Sequence, residues 1–124
     1  MSSPKIEILD EDLLNMRFHA NNIKNNKLLP VVFKAKPEGS DELSVDWNKY
    51  STVEESRNRA KNPLKNGIGQ FIVEEVRKLN YKVEHKPEHE PPNFAHSIIS
   101  PVLEERDRLL LRDIFVVVLN PQEA

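Results

Sequence analysis

Three of the chain's four histidines, His85, His89 and His96, fall close together, with Glu84, Glu88 and Glu90 among them as direct neighbours of His85 and His89. Imidazole nitrogens and carboxylate oxygens are donors that zinc, nickel or iron accept. The spacing matches neither HExxH nor a Cys/His knuckle. His85, His89 and His96 are therefore weak metal candidates, against a plainer reading of one solvated loop histidine and two strand positions, and no cofactor is expected. A second grouping suits proton transfer. His96 is followed by Ser97 and flanked by Asn93, and alternation sets it on the side of Phe94 and Ile98, partly buried. An imidazole held there needs a partner for each nitrogen and can be tuned for acid–base work. The plainer alternative is a core histidine bonded to backbone.

A third grouping suits anion recognition. Arg17 and His19 share a face if 16–19 is a strand, and a guanidinium matches phosphate or carboxylate oxygens. Ser44 and Asp46 share the polar face of another alternating run. A catalytic pocket would join His96 as acid/base to Arg17 as anion clamp, with His19 or Ser44 assisting. Asp46, Arg77, His85 and Asn93 are the expected ligand contacts around them. The competing reading is a solvated sheet face. Gly67-Ile68-Gly69 is no phosphate loop, since a third glycine and a Lys-Ser/Thr are missing. No GxSxG elbow marks a serine hydrolase.

The elements that must position these groups are short. Ile6 to Leu9 reads as an edge strand or docked tail, and Asp10 to Asp12 as a helix start, although Met16 to His19 also fits a half-buried strand. Asn21 to Asn26 is turn chemistry. Leu28 to Ala35 and Leu43 to Trp47 are predicted to pair as a hairpin across the turn at 37–41. From Ser51 the pattern turns helical, with overlapping capping boxes Ser51/Glu54 and Thr52/Glu55; this helix should be exposed and lightly attached, ending at Asn62-Pro63. Gly67 to Val73 is a strand. A short helix through Val76 and Leu79 follows, closed by Asn80, then a strand from Tyr81 to His85 with His85 inward. Pro87, Pro91 and Pro92 make the next loop stiff and extended. Phe94 to Ile99 is a strand, and Ser100-Pro101 offers a helix start. Asp113 to Leu119 is an unbroken β-branched and aromatic run, expected as a central strand covered on both faces.

Irregular interleaving of short strands and helices predicts an α+β fold. A single domain over 1–124, with loose ends at 1–5 and 120–124, would hold a mixed or mostly antiparallel sheet of about five or six strands and two or three short helices. The 124 residues suffice for a core without a staple. A formal charge of -2 gives no basic face for nucleic acid, so nucleic acid is an unexpected partner. The absence of cysteine removes disulfide, thiol and Cys-zinc chemistry. No signal segment or membrane-length apolar run occurs, and a cytoplasmic location without membrane contact is expected.

The pieces Leu43-Ser44-Val45-Asp46, Val73 to Arg77 and Asn93-Phe94-Ala95-His96 resemble a scattered set of small uncharacterised bacterial proteins. In those, an "LSVD" strand is followed by a "VxxVR" segment and an "NxAHS" strand. Arg17, Phe33, Val83, His85 and Pro87 extend the match, while Phe94 stands where proline is usual and Asn80 where glycine is. The resemblance implies a common fold and a bacterial or phage origin, and carries no activity. Two functions follow. The first is a small binding or accessory protein (immunity, antitoxin-like or regulatory) with a protein partner, its surface including the loop Lys86 to Asn93. The alternative is a small enzyme acting on a nucleotide or phosphorylated ligand.

Overall fold

The computed structural model describes residues 7–122. The strands are β1 Leu13–His19, β2 Ile23–Lys24, β3 Lys27–Leu28, β4 Leu43–Trp47, β5 Asn66–Ile72, β6 Lys82–His85, β7 Glu88–His89, β8 Pro92–Asn93, β9 His96–Ser100 and β10 Val116–Leu119. The helices are α1 Val53–Asn58, α2 Val73–Lys78 and α3 Glu105–Ile114. Six strands form one antiparallel sheet in the order β10-β5-β1-β4-β9-β6, and β2-β3 and β7-β8 are small hairpins. The α+β architecture expected from the sequence is the one observed. No helix among the described residues is long and apolar enough to cross a membrane.

Strict alternation in β1 builds the molecule's two faces. Leu14, Met16 and Phe18 are buried on one side, while Asn15, Arg17 and His19 point to the other. Antiparallel register carries this division across the sheet: Leu14 stands opposite Trp47 and Phe71, and Leu43 opposite Ile99. On the apolar side, Val73 and Val76 of α2, Leu111 of α3 and Phe33 of the turn Pro30–Phe33 join them in one core cluster. Each such fully buried side chain contributes about 1.5–3 kcal/mol relative to exposure. Phe115 wedges between Phe33 and Phe71, with ring centroids 5.1 and 4.9 Å away. It lies directly over Gly69, where any Cβ would collide with its ring. That packing, rather than phosphate binding, accounts for the glycine.

Helix α1 lies on the opposite, polar side. It uses the second of the two capping boxes: Thr52 Oγ1 accepts from the Glu55 amide at 3.1 Å, and the Glu55 carboxylate accepts from the Thr52 amide at 2.9 Å. Those bonds, with the Arg59 charge, hold the Glu55 carboxyl below its usual range. Far from lightly attached, α1 is anchored through buried Ser56, which donates to Asp46.

Several expectations are corrected. Strand β10 is a sheet edge, with Val116, Val117 and Val118 60%, 39% and 46% exposed. Its apolar run divides: Ile114 and Phe115 serve the core, and the valines that follow do not. Residues 28–35 and 43–47 do not pair. Pro30 opens a 3-10 turn, and Lys27–Leu28 pairs with Ile23–Lys24 across Asn25 and Asn26, both left-handed. Asn80 is left-handed too, as expected at the close of α2. The acidic run Asp10 to Asp12 forms a turn, its Asp12 carboxylate accepting the Leu9 amide. Residues 7–9 form no strand, although Ile8 docks in the core; Ile6 and residues 1–5 lie outside the described residues. Ser100 ends β9 instead of opening a helix, because the Asp107 carboxylate collects the Leu103 and Glu104 amides and so starts α3 at Glu105. The proline loop folds back as the β7-β8 hairpin, Glu88 opposite Asn93. At the C-terminal end Gln122 is tied to the Leu64 carbonyl, and 123–124 are outside the described residues.

Candidate functional site

The polar face of the sheet carries a row of opposed residues. Gln70 of β5 faces Asn15 of β1, Asn15 faces Asp46 of β4, and Asp46 faces His96 of β9. Asn15, Asp46 and His96 of this row line one cleft, and Gln70 supports it from behind. Gln70 donates to Asn15 Oδ1 at 2.8 Å, and the Asn15 amide donates to the Ser51 carbonyl and to Asn48 Oδ1 at 3.0 Å each. Asn15 is 1% exposed, so these partners satisfy an amide that would otherwise be costly to bury. Asp46 accepts from Ser56 at 2.8 Å, Arg59 at 3.0 Å and Asn93 at 2.9 Å. A carboxylate so surrounded is a structural post with little capacity left for a ligand.

The reactive candidate, His96, ends the same row. His96 Nδ1 lies 2.7 Å from the Lys86 carbonyl, and its Nε2 lies 3.1 Å from Ser44 Oγ. A carbonyl can only accept, so Nδ1 carries the proton. In the neutral ring Nε2 then presents its lone pair to the Ser44 hydroxyl, which donates. Glu88, across the hairpin wall, stands 4.0 Å from the same Nε2. This is the arrangement in which a hydroxyl faces a base whose orientation a third group holds. The cleft is a cavity of about 470 Å³, bounded by Arg17 and Ser44 on the floor and by Glu88, Pro91 and Asn93 on the hairpin wall.

The cleft therefore joins Arg17, Ser44, Asp46, Asn93 and His96, all expected at one site. Other expected members are elsewhere. His85 stands opposite Ser97, one residue out of phase with His96, so it projects from the other face. There it packs edge-on to Trp47 and Phe94, and its Nε2 donates to the Phe94 carbonyl. Phe94 belongs with that cluster and not on the side of His96. Arg77 binds Asp10 at 2.6 Å and the Ile8 carbonyl at 2.8 Å, docking the N-terminal segment; with His85, Glu7 and Glu84 it bounds a separate cavity of about 680 Å³. His19 accepts from the Asn21 amide and caps the turn Ala20–Asn22. His89 is exposed on β7. The three clustered histidines thus diverge, and no group of three His, Cys, Asp or Glu among the described residues is placed to hold a metal ion.

Asn15 and Arg59 also line the cleft and were not anticipated, and Glu88 was grouped with His96 only as a metal donor. Asn15 was in principle readable, because it alternates with Leu14 and Met16 once 13–19 is taken as a strand. Arg59 and Glu88 arrive through long-range packing. No protein family, curated protein or solved structure matches this chain.

Proposed function

We propose that the cleft binds a small phosphorylated ligand of the nucleotide class, and that His96 and Ser44 exchange a proton with it. The observation that carries this reading is the His96–Ser44 pair, its tautomer set by the Lys86 carbonyl, opening on the same cavity as Arg17. Arg17 supplies a planar cationic fork for phosphate oxygens. His96 Nε2 takes the Ser44 proton, or one from a ligand hydroxyl in its place, and can return it to a leaving oxygen. Arg59 is committed to Asp46 and positions the floor.

Calorimetric titration with nucleoside monophosphates and sugar phosphates tests this. Arg17→Ala should weaken binding about 10–100-fold, the scale of a lost charge-assisted contact. Arg77→Ala, which alters the other face, should leave it unchanged. Binding that survives both Arg17→Ala and His96→Ala would sink the proposal.

A second reading, a partner-binding accessory protein, rests on a different surface. Tyr50 and Phe94 are 37% and 50% exposed, in edge contact with each other and backed by Trp47 and His85 beside the 88–93 hairpin. Exposed aromatic anchors of this kind concentrate binding energy at protein interfaces. Affinity capture that retains a partner with the wild-type chain and loses it with Phe94→Ala would favour this reading.

A further inference from the structure

Arg17 bounds a second cavity as well as the first. It is about 420 Å³ in volume and lies where β1 runs into the turn Ala20–Asn22. Its charged lining is entirely basic: Arg17, Lys36 and Lys61, with His19 beside them and no carboxylate. The first cleft, by contrast, balances Arg17 and Arg59 against Asp46 and Glu88. Among the described residues Arg17, Lys36 and Lys61 enter no ion pair. The His19 contact adds a donor. Because its Nδ1 accepts from the Asn21 amide at 3.0 Å, the neutral ring carries its proton on Nε2. Asn22 and Asn62 add polar groups to the same wall.

From this shared residue we infer that the ligand carries more than one phosphate, spanning the two cavities across Arg17. Its reacting group lies against His96 and Ser44, and its outer phosphates lie between Lys36 and Lys61. The inference rests on the function proposed above and narrows its ligand to a nucleoside di- or triphosphate or a similar short polyphosphate. A long nucleic acid strand fits less well. It would have to pass Glu88 in the first cleft, and the chain as a whole carries a net charge of -2.

The test is calorimetry on the full chain with inorganic phosphate, tripolyphosphate, AMP, ATP and a twelve-nucleotide oligouridylate, without added metal. Tripolyphosphate should bind at least about tenfold tighter than phosphate, and ATP than AMP, the scale of one added charge-assisted contact. The double variant Lys36→Glu/Lys61→Glu should erase that advantage and leave AMP binding in place. A control with the same charge change elsewhere, Lys24→Glu/Lys82→Glu, should keep it. AMP binding that depends on Arg17, with no polyphosphate advantage, overturns this inference and spares the proposed function. A lysine-dependent polyphosphate advantage that is indifferent to Ser44→Ala and His96→Gln keeps the basic cavity and removes the chemistry proposed for the cleft. No binding of any probe removes both, and oligouridylate binding tighter than tripolyphosphate replaces the short ligand with a strand.

Discussion

Asn93 donates its side-chain amide to Oδ1 of Asp46 at 2.9 Å, joining the hairpin wall of the cleft to its floor across 47 positions of chain. The same side chain accepts the Ala95 amide through Oδ1. It is buried, and both ends are used. Asn93→Ala strips Asp46 of one of three donors and should cost about 1–3 kcal/mol of stability. Urea unfolding gives the loss, and hydrogen exchange should show faster opening of the 88–93 hairpin. Unchanged protection there would mean that this bond does not hold the wall.

Gly69 faces Met16 in the sheet and sits beneath the Phe115 ring. A methyl group at this position must displace the ring that fills the space between Phe33 and Phe71. Gly69→Ala should therefore destabilise by about 1–3 kcal/mol despite removing a glycine from a strand, a change that ordinarily helps. A smaller side chain at Phe115 should make room for it. The double variant Gly69→Ala/Phe115→Leu should thus lose less than the two single losses added together, as measured by a double-mutant cycle.

The edge position of β10 sets a different expectation. Val118 is 46% exposed and has no strand beyond it in the sheet. Val118→Lys should change stability by no more than about 0.5 kcal/mol. In a central strand covered on both faces the same substitution would bury a charge and unfold the protein. Thermal melts of this one variant separate the two placements.

The apolar run that ends the chain shows where sequence reading fails. Val116 to Leu119 looks like an interior strand by composition, but composition does not say whether a neighbour lies on each side. Phe115 satisfies the core, and the valines form a short edge. Alternation was the reliable signal. It placed Ser44 with Asp46, which share the cleft with His96, and misled only at Phe94, which lies outside β9. Where it was ignored, at Asn15, a floor residue was missed. His85 and His96 were grouped because they are near in sequence. The phase of pairing between β6 and β9 sets them on opposite faces, and phase is a property of two strands together. Lys36 and Lys61 sit in irregular segments whose approach to Arg17 depends on the whole fold.

Tyr81 and Asp107 give the protein a pH signature at both extremes. The Tyr81 hydroxyl donates to Asp107 at 2.5 Å. Burial and this bond raise the Tyr81 pKa well above its ordinary value. Burial alone would raise the Asp107 carboxyl, but bonds from Tyr81 and from the Leu103 and Glu104 amides outweigh it and leave it lowered. Asp107 thus adds stability above its unfolded value of about 3.9, lost as pH falls through the lower folded value. Tyr81 adds stability that is complete below its unfolded value of about 10 and lost as pH rises towards the higher folded one. Tyr81→Phe should cost about 1–2 kcal/mol at neutral pH, remove the Tyr81 share of the alkaline limb and weaken the acid limb only in part. Melting temperature against pH for both proteins reads this directly.

The opposed row Gln70, Asn15, Asp46 and His96 ties four neighbouring strands to a single lateral line of polar groups. A slip of any one strand by a residue would drive a polar side chain of that line into the apolar layer and bring an apolar one out into the cleft. The cleft thereby proofreads the folding of its own sheet. Mispaired forms would lose both the hydrogen bonds made along the line and the burial behind it, so a chain with an intact cleft is a chain whose strands have already found the right partners.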